Sequence, residues 1–400
     1  MKRILFYTEN FCDSTSKGGL EVATFRIAKS LKDSGKWEVL HAFRKKSDGA
    51  KKSIYRDVIK LPGLPATFEK NLANFITENR IDVVVNMSRF FRDKSITKAV
   101  KSTGMDVKTI FMQHFAPGSE MKKPTFTSGM HLLKLNPYNP AYWLRVSFYP
   151  LLKLPRRIKF NKIYESTYQN NDRIILLSDG YIEDYCKIGG FDDNSKFKAI
   201  PNIFETDEKK DFKEKKDLIA GKKKQILILS RMDEIQKRMS LALKIWSEIE
   251  KDPKFKDWHL DIVGSGHNTD IVKRLIKSLG LKNVSFHGWQ PSEHFLKESS
   301  ILMTTSEYEG LPLSILEAQA YGCVPMAFNS YASLKDVVED GVNGVIVDRF
   351  GDITEYAHKL KELMRNEDKR TQMAENAMDN VKRYSSEKIG NQWLRMLETL

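Results

Sequence analysis

Between Ser306 and Gly322 the chain reads Ser-Glu-Tyr-Glu-Gly-Leu-Pro-Leu-Ser-Ile-Leu-Glu-Ala-Gln-Ala-Tyr-Gly, one residue after the apolar run 301–304. The apolar run has the length and content of a buried strand. Pro312 suits the first turn of a helix and Gly322 its C′ stop, so strand, loop and helix follow one another. Glu309 then falls in the loop before the helix, and Glu317 on its inner turns. The N–H groups at the helix start, near Gly310, Leu311 and Leu313, point toward an anion with the helix dipole behind them. Pro312 has no N–H to give. A carboxylate beside an anion site is costly unless it holds hydroxyls or stabilises a developing cation. The same residues also allow a plainer arrangement, with Glu309 capping the helix and Glu317 paired with a surface lysine.

Working outward, the pattern repeats. Segments 225–229, 260–263, 284–286 and 325–327 are further strand candidates with helical stretches between them, and 4–8, 82–86, 108–112 and 173–178 do the same in the first half. Near-continuous apolar strands separated by helices predict parallel sheets covered on both faces. The expectation is an α/β chain of two doubly wound, Rossmann-like domains facing a central cleft, with ligands beyond the carboxyl ends of the strands. Just after 225–229 stand Arg231 and Lys237, two cations suited to a diphosphate, or else members of a solvated loop. After 260–263 comes Gly264-Ser265-Gly266, which by itself says only that the backbone turns tightly.

Composition narrows the partners. The 400 residues carry 66 Lys+Arg against 52 Asp+Glu, a formal charge of +14, and are 41% apolar with 10% aromatics. That length predicts about two or three domains, and the apolar share excludes a disordered chain. Cys12, Cys186 and Cys323 stand far apart with no CxxC, which argues against a disulfide scaffold or a zinc module and for a reducing compartment. The N-terminal apolar run is too short for a signal peptide, and no segment is apolar enough to span a bilayer, so a cytoplasmic chain is expected. Segment 121–162 holds nine Lys/Arg, no acid and seven aromatics, leaving 14 − 9 = +5 elsewhere. Cations beside Trp and Tyr suit an anionic membrane surface, although an insertion packed on its own domain would read alike. Nucleic acid is not expected, because no helix-turn-helix, zinc-finger or RNP pattern accompanies the charge. The mixed-charge stretch 205–224 reads as a linker between domains.

Taken in order, these elements resemble the retaining glycosyltransferases of family 4, which have the GT-B fold. The elements are Gly18-Gly19-Leu20-Glu21 opening the helix 20–31, Arg231 with Lys237, Trp258-His-Leu-Asp-Ile-Val-Gly-Ser-Gly266, Asn283-Val-Ser-Phe-His-Gly288, and Glu309 and Glu317 in a Glu-x7-Glu spacing before Gly322-Cys-Val-Pro325. The resemblance implies an acceptor-binding domain over 1–203, joined by the terminal helix 385–400, and a donor-binding domain over 204–384. It further implies sugar transfer from a UDP or GDP sugar to a glycan or lipid-linked acceptor in cell-surface polysaccharide or lipopolysaccharide biosynthesis, with retention and with no metal or other cofactor. In keeping with this, the chain contains no Asp-x-Asp. By position, Arg231 and Lys237 would neutralise the diphosphate, Gly18 and Gly19 admit the phosphates, and Glu317 hold the ribose. Glu309 would face the donor sugar, His114 contact it, and the backbone of Gly264, Gly288 and Trp289 lie along the nucleotide. Front-face attack is the expected mechanism, with Glu309 as covalent nucleophile the runner-up.

Other classes remain on this reading. A dehydrogenase predicts a full G-x-G-x-x-G after the first strand, which here ends Thr8-Glu9-Asn10-Phe11. A GT-B nucleotide-sugar epimerase leaves the basic aromatic segment unexplained. A non-catalytic membrane-surface protein predicts no turnover of any donor. Attachment at the inner face of the plasma membrane is the localisation the basic segment suggests.

Overall fold

The computed structural model describes residues 1–16, 18–45, 54–122, 126–205 and 212–400. Residues 206–211 of the expected linker, and Lys123 in the basic segment, therefore lie outside the described residues. The chain divides into two compact units. The first comprises Met1–Gly118, Leu154–Glu205 and Arg383–Leu400; the second comprises Ser119–Lys153 and Thr206–Lys382.

In the first unit, strands β1 (Lys2–Asn10), β2 (Trp37–Lys45), β3 (Val58–Lys60), β4 (Val83–Asn86), β5 (Lys108–Met112), β6 (Arg173–Leu176) and β7 (Phe197–Ala199) form one sheet. Its order is β3-β2-β1-β4-β5-β6-β7, and every pairing is parallel. Ile4, Leu5, Phe6 and Tyr7 of β1 are all fully buried, because a central strand covered on both faces has no solvent side. Helix Gly19–Asp33 follows β1 and buries Ala23, Ile27, Ala28 and Leu31, one stripe at helical spacing. The final helix, Ser386–Glu398, packs on it so closely that a Cβ at Gly390 would lie 2.1 Å from Ser30 Oγ. Buried Trp393 of the same helix reaches the ring of Phe6, with centroids 6.3 Å apart.

In the second unit, β8 (Lys223–Leu229), β9 (His259–Val263), β10 (Val284–Gly288), β11 (Ser299–Thr304), β12 (Val324–Phe328) and β13 (Val345–Val347) form a parallel sheet in the order β10-β9-β8-β11-β12-β13. β8 is central, pairing Ile226 with Leu260 and Leu227 with Leu302. Helix Met239–Glu250 covers it with Leu243, Ile245, Trp246 and Ile249, all fully buried. Helix Leu313–Ala320 starts one residue later than Pro312, which is its N-cap, and Gly322 takes φ +67 just past its end.

Two departures from the sequence expectations concern the fold. Strands β2, β3, β7 and β13 were not expected. β2 carries His41 and Arg44 among its apolar residues, and the other three are only three residues long. The second departure is that 119–153 groups with the second unit, whereas 1–203 was expected to form one domain. Leu132 of helix Phe126–Leu135 joins an apolar cluster with Ile235 and Ile271. In addition, His131 Nε2 lies 2.8 Å from the carboxylate of fully buried Glu234, which also accepts from Ser240 N at 3.1 Å. Burying Glu234 without these partners would be costly, so they fix the segment where it lies.

Candidate functional site

Most of the candidate residues of the second unit sit on loops at the carboxyl ends of its parallel strands, where such sheets place their ligands. The loop after β8 turns back through Arg231 and Lys237 into helix Met239–Glu250, whose N-cap Arg238 takes the left-handed φ of 50°. Non-glycine residues adopt that conformation only when held. Here the side chain of Glu307 accepts Arg238 Nε at 2.7 Å, and Glu307 N donates to the Gln236 carbonyl at 2.7 Å. The loops after β8 and β11 are thereby fastened together.

This fastening assembles three of the expected groups. Lys237 Nζ donates to Glu309 Oε1 at 2.5 Å, and both side chains are mostly buried, at 15% and 12% exposure. Gln236 Nε2 donates to Glu309 Oε2 at 3.1 Å, and Arg231 Nη2 donates to Gln236 Oε1 at 2.9 Å. Glu309 is therefore gripped at both oxygens, while Arg231 lies exposed at the rim. Gln236, the centre of this chain, was missed in the sequence reading because a lone glutamine carries no chemical signal.

The glycines of the second unit shape its loops. A Cβ at Gly264, which has φ +135, would lie 1.8 Å from the Ser230 carbonyl, and one at Gly266 would lie 2.6 Å from the Met232 carbonyl. Both residues are glycine so that the β8 and β9 loops can touch backbone to backbone. Gly264 N also donates to the Gly288 carbonyl at 2.7 Å, so this amide is committed within the protein rather than offered to a phosphate. Gly288 turns at φ +69 and leads to Trp289, which is 64% exposed. At the helix start, Leu313 N donates to the Leu311 carbonyl at 2.9 Å around Pro312, an inverse γ-turn. That bond withdraws the Leu313 N–H from the expected anion contact, leaving Gly310 and Leu311 in the loop ahead of it. Glu317 is half-buried, one turn along the helix from Leu313.

Gly18, Gly19 and His114 belong to the first unit. Gly18 is the N-cap of helix Gly19–Asp33, and the carboxylate of Glu21 folds over it, 2.0 Å from where a Cβ would stand. An acid at a helix N-terminus is electrostatically favoured, and Glu21 also accepts from Asn10 Nδ2 at 2.7 Å. His114 follows β5, and both its ring nitrogens are buried with no hydrogen-bond partner. Burial lowers its pKa to about 4, so the ring is neutral at pH 7. A neutral, unpartnered imidazole can still donate or accept one bond from a hydroxyl.

Near the ends of β1, β2 and β4 the first unit holds a cavity of about 540 Å³ that the sequence did not announce. Glu9 anchors it, accepting Arg44 Nε at 2.6 Å and Tyr7 Oη at 3.1 Å, with Arg92 Nε 3.9 Å away. At its rim Arg89 lies 5.3 Å from the ring centroid of Phe115, near the exposed ring of Phe91. Among the described residues, no group of three or more His, Cys, Asp or Glu side chains is placed to hold a metal ion.

The buried histidines set a pH response. Burial lowers His114 to about 4 and His41 to about 3, while buried Asp93 is raised to about 6. Between pH 7 and pH 5 the unfolded chain binds more protons at the two histidines, so acidification destabilises the fold by about 2 kcal/mol for each. Asp93 binds its proton more readily when folded and offsets about 1 kcal/mol of this. Urea unfolding of the whole chain is expected to show a net loss of about 3 kcal/mol at pH 5 relative to pH 7. An unchanged midpoint would mean that these rings do not remain neutral and buried.

Known proteins resemble this chain in part of its sequence and in its fold. Residues 209–379 match the model of the family described as glycosyl transferases group 1. An uncharacterized glycosyltransferase of Haemophilus influenzae is 34% identical over 163 residues, 40% of this chain and 45% of that protein. The poly(glycerol-phosphate) alpha-glucosyltransferase of Bacillus subtilis is 25% identical over 239 residues, 59% of this chain and 34% of that protein. The chain thus spans less than half the length of these curated relatives. Among solved structures, Anabaena HepE in complex with UDP-glucose superposes with a TM-score of 0.72 over 100% of both chains at 17% identity. The fold is GT-B, with two Rossmann-like α/β units.

Proposed function

We propose that this chain, whose second unit carries a glycosyl transferases group 1 domain, transfers a sugar from a UDP or GDP sugar to a glycan or lipid-linked acceptor in cell-surface polysaccharide biosynthesis. The observation that carries the proposal is the grip of Lys237 and Gln236 on Glu309, at the strand ends of a domain of this family. The second unit takes the donor and the first unit the acceptor. The Bacillus subtilis relative, named for a poly(glycerol-phosphate) acceptor, and the fold neighbour with UDP-glucose support donor and acceptor of these kinds.

The chemistry follows from the side chains. A diphosphate leaving group gathers negative charge as the glycosidic bond breaks. Lys237 spends one of its three N–H bonds on Glu309 and has two left for phosphate oxygens, and exposed Arg231 adds a second cation. These two fixed charges do the electrostatic work without a metal ligand set. Glu309, held at both oxygens, accepts from sugar hydroxyls and faces the oxocarbenium-like transition state. Two donors on its carboxylate reduce its nucleophilicity, which favours front-face transfer over a covalent glycosyl-enzyme. The acceptor hydroxyl then attacks the face from which the diphosphate leaves, and its proton passes to the departing phosphate oxygen, so configuration is retained. Glu317 holds the ribose. In the first unit, the cavity around Glu9, Arg44 and Arg92 receives the acceptor.

Two measurements test the proposal. A thermal-shift screen is expected to find that UDP or GDP raises the melting temperature by about 5 °C or more at a hundredfold excess over Kd. Incubation with the matching nucleotide sugar and acceptor glycans is expected to release free nucleotide. If neither nucleotide shifts the melting curve, the donor assignment fails. Interconversion of nucleotide sugars without release would instead identify an epimerase.

A further inference from the structure

We infer that helix Pro140–Asn170 docks this protein on an anionic lipid bilayer through a stripe of six exposed apolar side chains: Trp143, Leu144, Phe148, Leu151, Leu154 and Ile158. Each is between 48% and 71% exposed. At about 100° per residue these six positions fall within an arc of about 140°. The other side of the helix is the one used inside the protein. Val146 meets helix Phe126–Leu135 so closely that a Cβ at Gly129 would lie 2.7 Å from its Cγ2, and Phe160, Tyr164 and Tyr168 are buried. The helix is therefore apolar on two sides, and its own packing accounts for only one of them. A solvent-facing stripe of this size on a soluble surface marks an interaction site.

Charge decides what covers the stripe. From 140 to 162 the helix has six cations and no acid. Lys153, Arg157, Lys159 and Lys162 are exposed along the same helix, whereas Arg156 is half-buried with its guanidinium 5.8 Å from the Phe160 ring. A second copy packed on this face through a two-fold axis would set these cations against one another. An anionic bilayer instead offers phosphates to the cations and acyl chains to the apolar rings. Trp143 is held ready at such an interface, its indole N–H donating to the Pro137 carbonyl at 2.8 Å. Among the described residues no helix is long and apolar enough to cross a membrane, so this helix lies on the surface.

The experiment is co-sedimentation of the full chain with phosphatidylglycerol–phosphatidylcholine vesicles and with pure phosphatidylcholine vesicles. The chain is expected to pellet with the first and to remain largely free with the second. The double variant Leu151→Gln/Leu154→Gln, both sites being exposed, is expected to unfold like the wild type yet bind at least about tenfold more weakly. Lys153→Gln, Arg157→Gln, Lys159→Gln and Lys162→Gln together are expected to abolish the preference for anionic lipid. Wild-type chain that stays in the supernatant, or a double variant that pellets like wild type, overturns the inference. A wild-type dimer that the double variant turns into a monomer also overturns it, by showing that a second copy covers the stripe. Vesicle binding needs no sugar transfer, so its failure leaves the proposed activity standing, and loss of that activity leaves docking standing.

Discussion

Glu309→Gln is expected to lower the turnover of sugar transfer about a thousandfold while the protein stays folded, the scale seen when one preorganised electrostatic contact is removed from a transition state. Glutamine keeps an oxygen for Lys237 but loses the negative charge that faces the oxocarbenium-like sugar. The loss should fall on kcat more than on the KM for the donor, because the charge matters most when the sugar is most cationic. Arg231→Ala is the companion variant. Its side chain is exposed and donates to Gln236, so stability should change by less than about 0.5 kcal/mol while transfer falls. Steady-state release of nucleotide, with melting curves alongside, separates the two effects. Wild-type turnover by Glu309→Gln would remove the carboxylate from the mechanism. A sugar trapped covalently on Glu309 of the native protein would replace front-face attack with a double displacement.

Gly264→Ala is expected to cost about 3 kcal/mol or more and to lower the melting temperature of the second unit by roughly 6–12 °C. Two terms add. The residue sits at φ +135, which side chains rarely adopt, and the new methyl would stand 1.8 Å from the Ser230 carbonyl. Relief requires moving the loop that begins at Ser230 and carries Arg231 and Lys237, so surviving protein should also transfer poorly. Gly288→Ala is the control. It shares the left-handed backbone at φ +69, yet nothing lies within 4 Å of its added Cβ, so about 1–2 kcal/mol of strain is all that is expected. Denaturant unfolding of both variants measures the difference. Equal losses would mean that backbone conformation, and not the contact between the loops, is what Gly264 serves.

Much of the site was legible because its signals are local. Pro312 and Gly322 bracket a helix by their own backbone restrictions, and the helix found spans Leu313–Ala320 between them. Arg231, Lys237 and Glu309 were each singled out by their place after a strand, but their contact with one another was not expected. What escaped were groups whose role exists only in three dimensions. Gln236 bridges Arg231 and Glu309 because the turn through Arg238 points it inward. The amide of Leu313 bends back to Leu311, a bond no spacing rule reveals. The cavity around Glu9 draws Arg44 from β2 and Arg92 from beyond β4, strands that meet only in the sheet.

The sequence by itself determined the architecture: two parallel α/β units, candidate residues on strand-end loops, and a basic aromatic segment over 121–162. Apolar runs, proline and positive-φ glycine act within a few residues, so their reading survives without coordinates. Only the tertiary structure decided that segment 119–153 belongs with the second unit, that Glu309 is held from both sides, and that the long helix has two apolar faces. Each of these depends on contacts between residues far apart in the chain, such as His131 with Glu234 or Lys237 with Glu309. Burial, which fixes both the strength of a charge pair and the exposure of a stripe, belongs to the folded assembly and not to any local run of residues.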